Sequence, residues 1–223
     1  MVEHSVIDNR SRNTEKSERF KALCISILAQ SGNCQESQLA FRGTESISQM
    51  CAAWHKYWHG MITEVPQQVM AAFRDFYPDY KNEINAAGIF YNEDSPTGNV
   101  LIGDSAEPIH LYHAHTAYIL GNAHVVLHNT ASALVMNPDS HVELRDFSRA
   151  TVKDGYAVAR NQSRLTTNAS AECYDKSVVN ITAGTLTDHG HRAIYAFGNA
   201  VVNSFTRQFI SIYDNAKVNI KKQ

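Results

Sequence analysis

The sequence lacks an excess of charge of either sign, and it lacks long apolar runs. Its 20 Lys and Arg side chains nearly balance its 22 Asp and Glu side chains, which gives a formal net charge of −2. A chain so close to neutral has no broad electrostatic footprint for nucleic acid, although a local basic patch is compatible with it. The most apolar stretch, residues 22–29, is too short to span a bilayer and follows a charged segment unlike a signal peptide. We therefore expect no membrane partner and a cytoplasmic location.

Cysteine is scarce, and its spacing excludes the usual cysteine chemistry. The chain has four cysteines, none of them in C-x-x-C spacing: Cys24, Cys34, Cys51 and Cys173. We predict reduced, mostly buried thiols rather than a disulfide framework. The sequence also has no G-x-S-x-G elbow, phosphate loop or dinucleotide fingerprint. It therefore predicts no catalytic residue and no cofactor.

What the sequence does contain is a repeat in its last third. The segment Phe197–Ala200 returns sixteen residues later as Tyr213–Ala216, with a degraded copy, Phe205–Gln208, halfway between. A fixed period of this kind is typical of a repeat architecture.

Inside each unit, small or aliphatic residues alternate with polar ones, which is the pattern of a strand with one buried face. Turn-forming pairs such as Gly121–Asn122 and Asp154–Gly155 separate the units. The predicted buried sets are Ala123/Val125/Leu127, Ala131/Ala133/Val135, Ser140/Val142/Leu144, Ser148/Ala150/Val152, Ala169/Ala171/Cys173, Ser177/Val179/Ile181, Ala200/Val202/Ser204, Gln208/Ile210/Ile212 and Ala216/Val218/Ile220.

No connection between these units is long enough for a crossover helix, so the units form either hairpins or the coils of a solenoid. We favour a parallel β-solenoid, because identical units stack in register only when each coil lies above the last. An antiparallel β-sandwich of short strands is the alternative. The segment Tyr213–Val218 resembles the A-Y-D-N-A-x-V-x unit of octapeptide-repeat β-solenoid proteins of bacteria and phages. This resemblance covers at most residues 110–221, implies an architecture and carries no catalytic residue.

The first part of the chain has helical rather than strand periodicity. Apolar stripes predict helices over residues 14–31, from Glu45 to Gly60, from Pro66 to Pro78, and around Tyr80–Ala87. We therefore predict an α+β chain with a mobile N-terminus over residues 1–13, a small helical domain over 14–88 and the β-solenoid over 89–223.

Three aromatic residues recur at the same point of the octad: Phe197, Phe205 and Tyr213. In a two-sided coil Phe197 and Tyr213 would stack directly and stabilise the sheet. A binding strip for a protein or a glycan is the functional interpretation of the same three residues.

Eleven histidines are many for this length. His55 and His59 stand four apart on a predicted helix, a spacing that can direct two imidazoles at one metal ion. His113 and His115 alternate along a strand, and the outward histidines of the next units follow as His124, His128 and His141. Stacked coils could align some of these side chains into a ladder for a metal, whereas a histidine-rich solvent face is the structural alternative.

An enzymatic hypothesis comes from a second resemblance. The segments Ile102–Ala106 and Leu120–Ala123 are similar to the hexapeptide units of left-handed β-helix acyltransferases, and they lie eighteen residues apart. The resemblance implies a histidine general base, for which His113, His115 and His124 are candidates.

The strand pattern continues to Val218 and Ile220, and we expect this end of the solenoid to dock while the helices cover the other end. We expect either a homodimer or a complex with another protein. The leading hypothesis is a non-enzymatic scaffold, encoded by a phage or mobile element, that binds and inhibits a host protein through its solenoid face or its helices. A structural or glycan-binding adhesive module is the alternative, with the acyltransferase third.

Overall fold

The computed structural model describes residues 3–30, 35–114, 116–167, 169–181, 193–204 and 210–220. The chain divides into two compact units, residues 1–89 and 90–223. The sequence pattern predicts this boundary near residue 88.

The first unit is helical. Its helices are α1 (Glu3–Gln30), α2 (Gln35–Arg42), α3 (Ile47–Glu64) and α4 (Pro66–Ala86). The indole of Trp54 is fully buried and packs edge-on against Phe41 and Phe73, with ring centroids 6.4 and 5.3 Å away. Its Nε1–H donates to Sγ of Cys24 at 2.6 Å. Burial raises the pKa of the Cys24 thiol and raises that of Cys51 to about 12, so both thiols are protonated at neutral pH.

Three helix boundaries predicted from sequence are wrong. The helix α3 continues through Gly60 to Glu64, because one interior glycine costs only about 1 kcal/mol relative to alanine and Ile62 beyond it is fully buried. The third and fourth predicted helices are one element, α4, with Pro78 inside and a kink at Tyr80 (φ −126°, ψ 25°). Proline lacks an N–H and crowds the preceding turn, so it bends this helix without ending it. The helix α1 begins at Glu3 rather than at residue 14, and α2 was not predicted.

The second unit consists of two sheets of short strands. Sheet A contains, in spatial order, β1 (Ile89–Tyr91), β2 (Asn99–Ile102), β4 (Ala117–Ile119), β6 (Ser132–Val135), β8 (Arg149–Val152), β10 (Arg164–Thr167), β12 (Val178–Ile181), β14 (Val201–Ser204) and β16 (Lys217–Ile220). Sheet B contains β3 (Ile109–Leu111), β5 (His124–Leu127), β7 (His141–Leu144), β9 (Tyr156–Ala159), β11 (Ser170–Cys173), β13 (Ile194–Ala196) and β15 (Ile210–Ile212).

From β2 onward, consecutive strands alternate between the two sheets, and each strand pairs with the strand one coil further along the chain. Every such pair from β2 to β16 is parallel, with Ala133 opposite Ala150 in sheet A and Val125 opposite Val142 in sheet B as examples. This arrangement confirms the predicted parallel β-solenoid and excludes the antiparallel sandwich.

The core of the solenoid is thin because the residues that face inward are small. The predicted buried sets are confirmed for the described coils between Ala123 and Ser204, except that Ile181 is half-buried. In the coil of β15 and β16, the inward residues Ile212 and Ile220 are 43% and 44% exposed. Of the remaining set, Gln208 lies outside the described residues.

A four-residue corner follows each sheet B strand from β5 onward. It consists of a residue with a planar side chain, then Asn, Asp or Gly with φ between 52° and 63°, then a variable residue, then Ser or Ala. The N–H of the fourth residue donates to the carbonyl of the first at 3.0 to 3.2 Å. The corners are His128–Ala131, Arg145–Ser148, Arg160–Ser163, Tyr174–Ser177, Phe197–Ala200 and Tyr213–Ala216. The repeat detected in the sequence is therefore this corner.

Asn and Asp suit the second corner position for two reasons. They adopt left-handed backbone angles more readily than other non-glycine residues. Their side chains also accept the N–H of the equivalent residue in the adjacent coil, as Asp146 does from Asn129 at 3.0 Å and Asp175 does from Asn161 at 2.9 Å. At Asp146 and Asp175, the residue that allows the corner angle therefore also links the corner to the adjacent coil.

The fourth corner position predicts a stabilising substitution. The hydroxyls of Ser148, Ser163 and Ser177 are buried and have no hydrogen-bond partner among the described residues, whereas Ala131 and Ala200 occupy the same position in other corners. Ser163→Ala should therefore raise the free energy of unfolding by about 1 kcal/mol, because an unpaired buried hydroxyl is unfavourable. Urea unfolding followed by circular dichroism measures this change, and a loss of stability would show that the hydroxyl is paired in solution.

Candidate functional site

The first residues of the corners lie above one another along the edge of sheet B. From His128 to Tyr213, the backbone N–H of each donates to the last strand residue of the coil before it, at 2.8 to 2.9 Å. We call this set the planar column: Tyr112, His128, Arg145, Arg160, Tyr174, Phe197 and Tyr213.

The side chains of the planar column stack in two groups, one on each side of Arg145. Tyr112 and His128 have ring centroids 4.4 Å apart, and the guanidinium of Arg160 lies 4.5 Å from the ring centre of Tyr174. Phe197 lies between Tyr174 and Tyr213, 4.9 and 4.6 Å away and within 8° of parallel to both. The predicted stacking of Phe197 on Tyr213 is confirmed, while Phe205 lies outside the described residues.

This stacking restricts what the column can bind. The two faces of the Phe197 ring are covered by its neighbours, so it presents only its edge to solvent. Binding of a sugar ring would require an open aromatic face. The ring of Tyr213, which is 46% exposed, is stacked on Phe197 through one of its faces. The column therefore offers ring edges and guanidinium groups more than stacking platforms.

Beside the column, sheet B carries two outward glutamates. Arg145 donates to both carboxylate oxygens of Glu143 at 3.0 and 3.2 Å, and Arg160 donates to Oε1 at 3.2 Å. Partial burial would raise the pKa of Glu143, but the hydrogen bonds and charges of the two arginines lower it below its ordinary value. Hydrogen bonds from the Tyr156 and Tyr174 hydroxyls lower the pKa of Glu172, the latter at 2.5 Å.

These two carboxylates do not form an acid–base pair. A general acid needs a raised pKa so that it is protonated at neutral pH, whereas the pKa values of Glu143 and Glu172 are both lowered. The strand β9, with Val158 at the equivalent position, also separates them. Both groups therefore act as fixed anions that orient arginine and tyrosine side chains.

Two histidine pairs lie on the same face. His124 and His141 are opposite each other in β5 and β7, with rings 4.6 Å apart and both Nε2 atoms buried without a described partner. His110 Nδ1 lies 3.0 Å from His128 Nε2. Burial lowers the pKa of His141, and the neighbouring His124 lowers it further. Burial and then His110 do the same for the pKa of His128.

The histidines proposed as metal ligands lie in separate environments. His113 Nδ1 is 3.0 Å from Oδ2 of Asp94, which also accepts backbone N–H groups of residues 112–114, while His124 stacks on His141. His55 is exposed on α3, the side chain of His59 is not described, and His115 lies outside the described residues. Within the described ranges, no three His, Cys, Asp or Glu side chains are grouped as a metal would require.

The two hexapeptide-like segments line an open depression of about 520 Å³, formed by Asp104, Ser105, Ala106 and Asn122. The Asp104 carboxylate accepts the N–H of Asn122 at 2.8 Å, so it joins the two coils. The candidate general bases His113 and His124 do not line this depression. Among the described residues, no histidine therefore lies beside the place where the acyltransferase resemblance is found.

Comparison with protein-family models, with curated proteins and with solved structures found no match. None of the helices described by the structure has the length and apolar character needed to cross a membrane.

The stacked, half-buried pair of His124 and His141 predicts acid sensitivity. The folded pKa of His141 lies below its ordinary 6.5, so below pH 6.5 the unfolded chain binds the proton more readily than the folded chain does. Stability should be full above that pH and fall on acidification. His141→Phe keeps a stacked ring without the proton site, so its melting temperature should fall less between about pH 7.5 and about pH 5.5. Equal slopes in the two proteins would contradict the assignment.

Proposed function

We propose that this protein is a non-enzymatic scaffold that binds another protein through the outer face of sheet B and its planar column. The observation that supports this most is the composition of that face. Its described outward strand residues and the planar column are rich in Tyr, His and Arg, and they include no lysine. Protein interfaces are enriched in aromatic residues and arginine and depleted in lysine.

The side chains of this face are also held in place before any partner binds. Glu143 fixes Arg145 and Arg160, and Glu172 fixes the hydroxyl of Tyr174. Ordering long side chains on binding costs about 0.5 to 1.5 kcal/mol for each one. A face whose arginines and tyrosines are already ordered avoids much of that penalty.

Exposed tyrosines are suited to be the anchors of the interaction. Tyr112, Tyr195 and Tyr213 are 43%, 39% and 46% exposed, and Tyr195 lies between Glu172 and Ser211 on neighbouring strands. Tyrosine provides a large, rigid contact area together with a polar group, which is typical of interface hot spots. The resemblance to octapeptide-repeat proteins supports a phage or mobile-element origin, and we infer that the partner is a cytoplasmic host protein inhibited by binding.

The adhesive and enzymatic alternatives have less support. The inner rings of the planar column cover one another's faces, which disfavours glycan stacking. The outward glutamates have lowered pKa values, which disfavours acid–base catalysis.

Affinity capture with matched baits tests the interface. The wild-type chain should retain a stoichiometric protein from a bacterial lysate treated with nuclease, and Tyr112→Ala/Tyr195→Ala should fail to retain it. Arg149→Ala/Thr151→Ala, on the outer face of sheet A, should retain it. The proposal fails if the wild-type chain retains nothing above a tag-only control, or if the sheet B variant retains as much protein as the wild type.

A homodimer is a second candidate, supported by a different observation. Ile212 and Ile220 are 43% and 44% exposed, although their partners in the preceding coil, Ala196 and Ser204, are fully buried. The half-buried Val218 lies on the same surface. Among the described strands, β15 and β16 are each paired on one side only. A second copy related by a two-fold axis could pair antiparallel with these edges and cover the exposed isoleucines.

Sedimentation velocity between about 5 and about 200 µM tests the dimer, because self-association depends on concentration. Ile220→Lys should give a monomer, since it places a charge at the covered surface. Asn219→Lys makes the same charge change on the outward side of β16 and should leave the dimer intact. A wild-type monomer over the whole concentration range would contradict the proposal.

A further inference from the structure

The outer face of sheet A differs from that of sheet B. From β8 to β16 its outward residues include three cations and no carboxylate. We call this set the sheet A strip: Arg149, Thr151, Arg164, Thr166, Val178, Asn180, Val201, Asn203, Lys217 and Asn219.

Two arginines of the strip face each other on neighbouring strands, and no described carboxylate pairs with either of them. Arg149 and Arg164 are Cα partners on neighbouring strands, and both are exposed. Like charges placed directly opposite destabilise a sheet. Neither arginine forms an ion pair with a described residue, whereas Arg145 and Arg160 on sheet B share Glu143. The positive charge of the strip is thus left available to an external anion.

The remaining polar groups of the strip form a fixed row along the solenoid. Asn219 Nδ2 donates to Asn203 Oδ1, and Asn203 Nδ2 donates to Asn180 Oδ1, both at 3.0 Å. Thr151 and Thr166 are opposite each other beside the arginines. Arg, Lys, Thr and Asn are the side chains that contact phosphate and sugar in nucleic-acid complexes. The strip contains no aromatic ring, so it has nothing on which a base could stack.

We propose that the sheet A strip binds the phosphate backbone of a nucleic acid. Five strands at a spacing of ~4.8 Å extend over ~19 Å, which is long enough to face several phosphates at ~3.4 Å per phosphate along one strand. Lys153 and Lys176 add positive charge at the two rims, where Asp154 and Asp175 also lie. The Asp175 carboxylate is occupied by the N–H of Asn161. Such a site recognises charge without reading sequence, and it is independent of the interface on sheet B.

Fluorescence anisotropy with a labelled 20-base-pair DNA duplex of random sequence tests this proposal across a salt series. The wild-type chain should bind at low salt, with log affinity falling linearly against log salt concentration. Arg149→Gln/Arg164→Gln should weaken binding at low salt by about tenfold and make that slope shallower by about two, because each arginine no longer neutralises a phosphate. Arg19→Gln/Arg42→Gln, which removes the same charge from α1 and α2, should bind like the wild type.

Three results would overturn the proposal. One is equal weakening by the two double variants, and another is a salt slope that Arg149→Gln/Arg164→Gln leaves unchanged. The third is preferential binding of a labelled heparin fragment over the duplex at matched salt, which would assign the strip to sulfated glycans. The strip variant should melt no lower than the wild type, because it removes a repulsive pair. Lys217→Gln provides a separate variant, for which the slope should become shallower by about one.

Discussion

The solenoid depends on the parallel, in-register pairing of each strand with the strand one coil along. Because Cα partners repeat from coil to coil, as Ala133 repeats at Ala150 and Leu165 at Val179, residues of one kind become continuous columns. Inward columns of Ala, Val, Leu and Ile form the core, and buried serines lie at some corners. Corner columns of Asn and Asp combine left-handed backbone angles with hydrogen bonds between coils. Side chains that would be isolated on a single strand therefore act together.

The same pairing gives the two outer faces different properties. On sheet B, Glu143 and Glu172 hold arginine and tyrosine side chains in a compensated network next to the planar column. On sheet A, Arg149 and Arg164 are opposed with no described carboxylate beside them. An ordered face rich in tyrosine and arginine is suited to a protein partner, and an uncompensated basic strip is suited to a polyanion. One rigid body could thus hold two ligands of different chemistry on opposite sheets.

Alternation of small and polar residues predicted the parallel solenoid and the buried faces of most strands between Ala123 and Ser204, but it gave no buried set for β9, β10 or β13. It also predicted the contact between Phe197 and Tyr213, because their spacing matches one coil. The rest of the planar column was missed because its positions accept any planar group, including Arg160, so residue identity does not repeat. Coil length also varies. The Cα partner of Ala171 in the preceding coil is Ala157, whereas its partner in the following coil, Ile194, is further away in sequence. The spacing predicted that histidines of successive coils align, as His124 and His141 do. The Glu143 network depends on the register and could not be read from spacing alone.

A double-mutant cycle between Tyr174 and Phe197 tests the register most directly. These residues are distant in sequence and lie in successive coils, with rings 4.9 Å apart. Unfolding free energies of Tyr174→Ala, Phe197→Ala and the double variant should give a coupling of about 0.5 to 1.5 kcal/mol, as stacked aromatic pairs do. A coupling indistinguishable from zero, with all variants folded, would contradict the in-register column on which the properties of both faces depend.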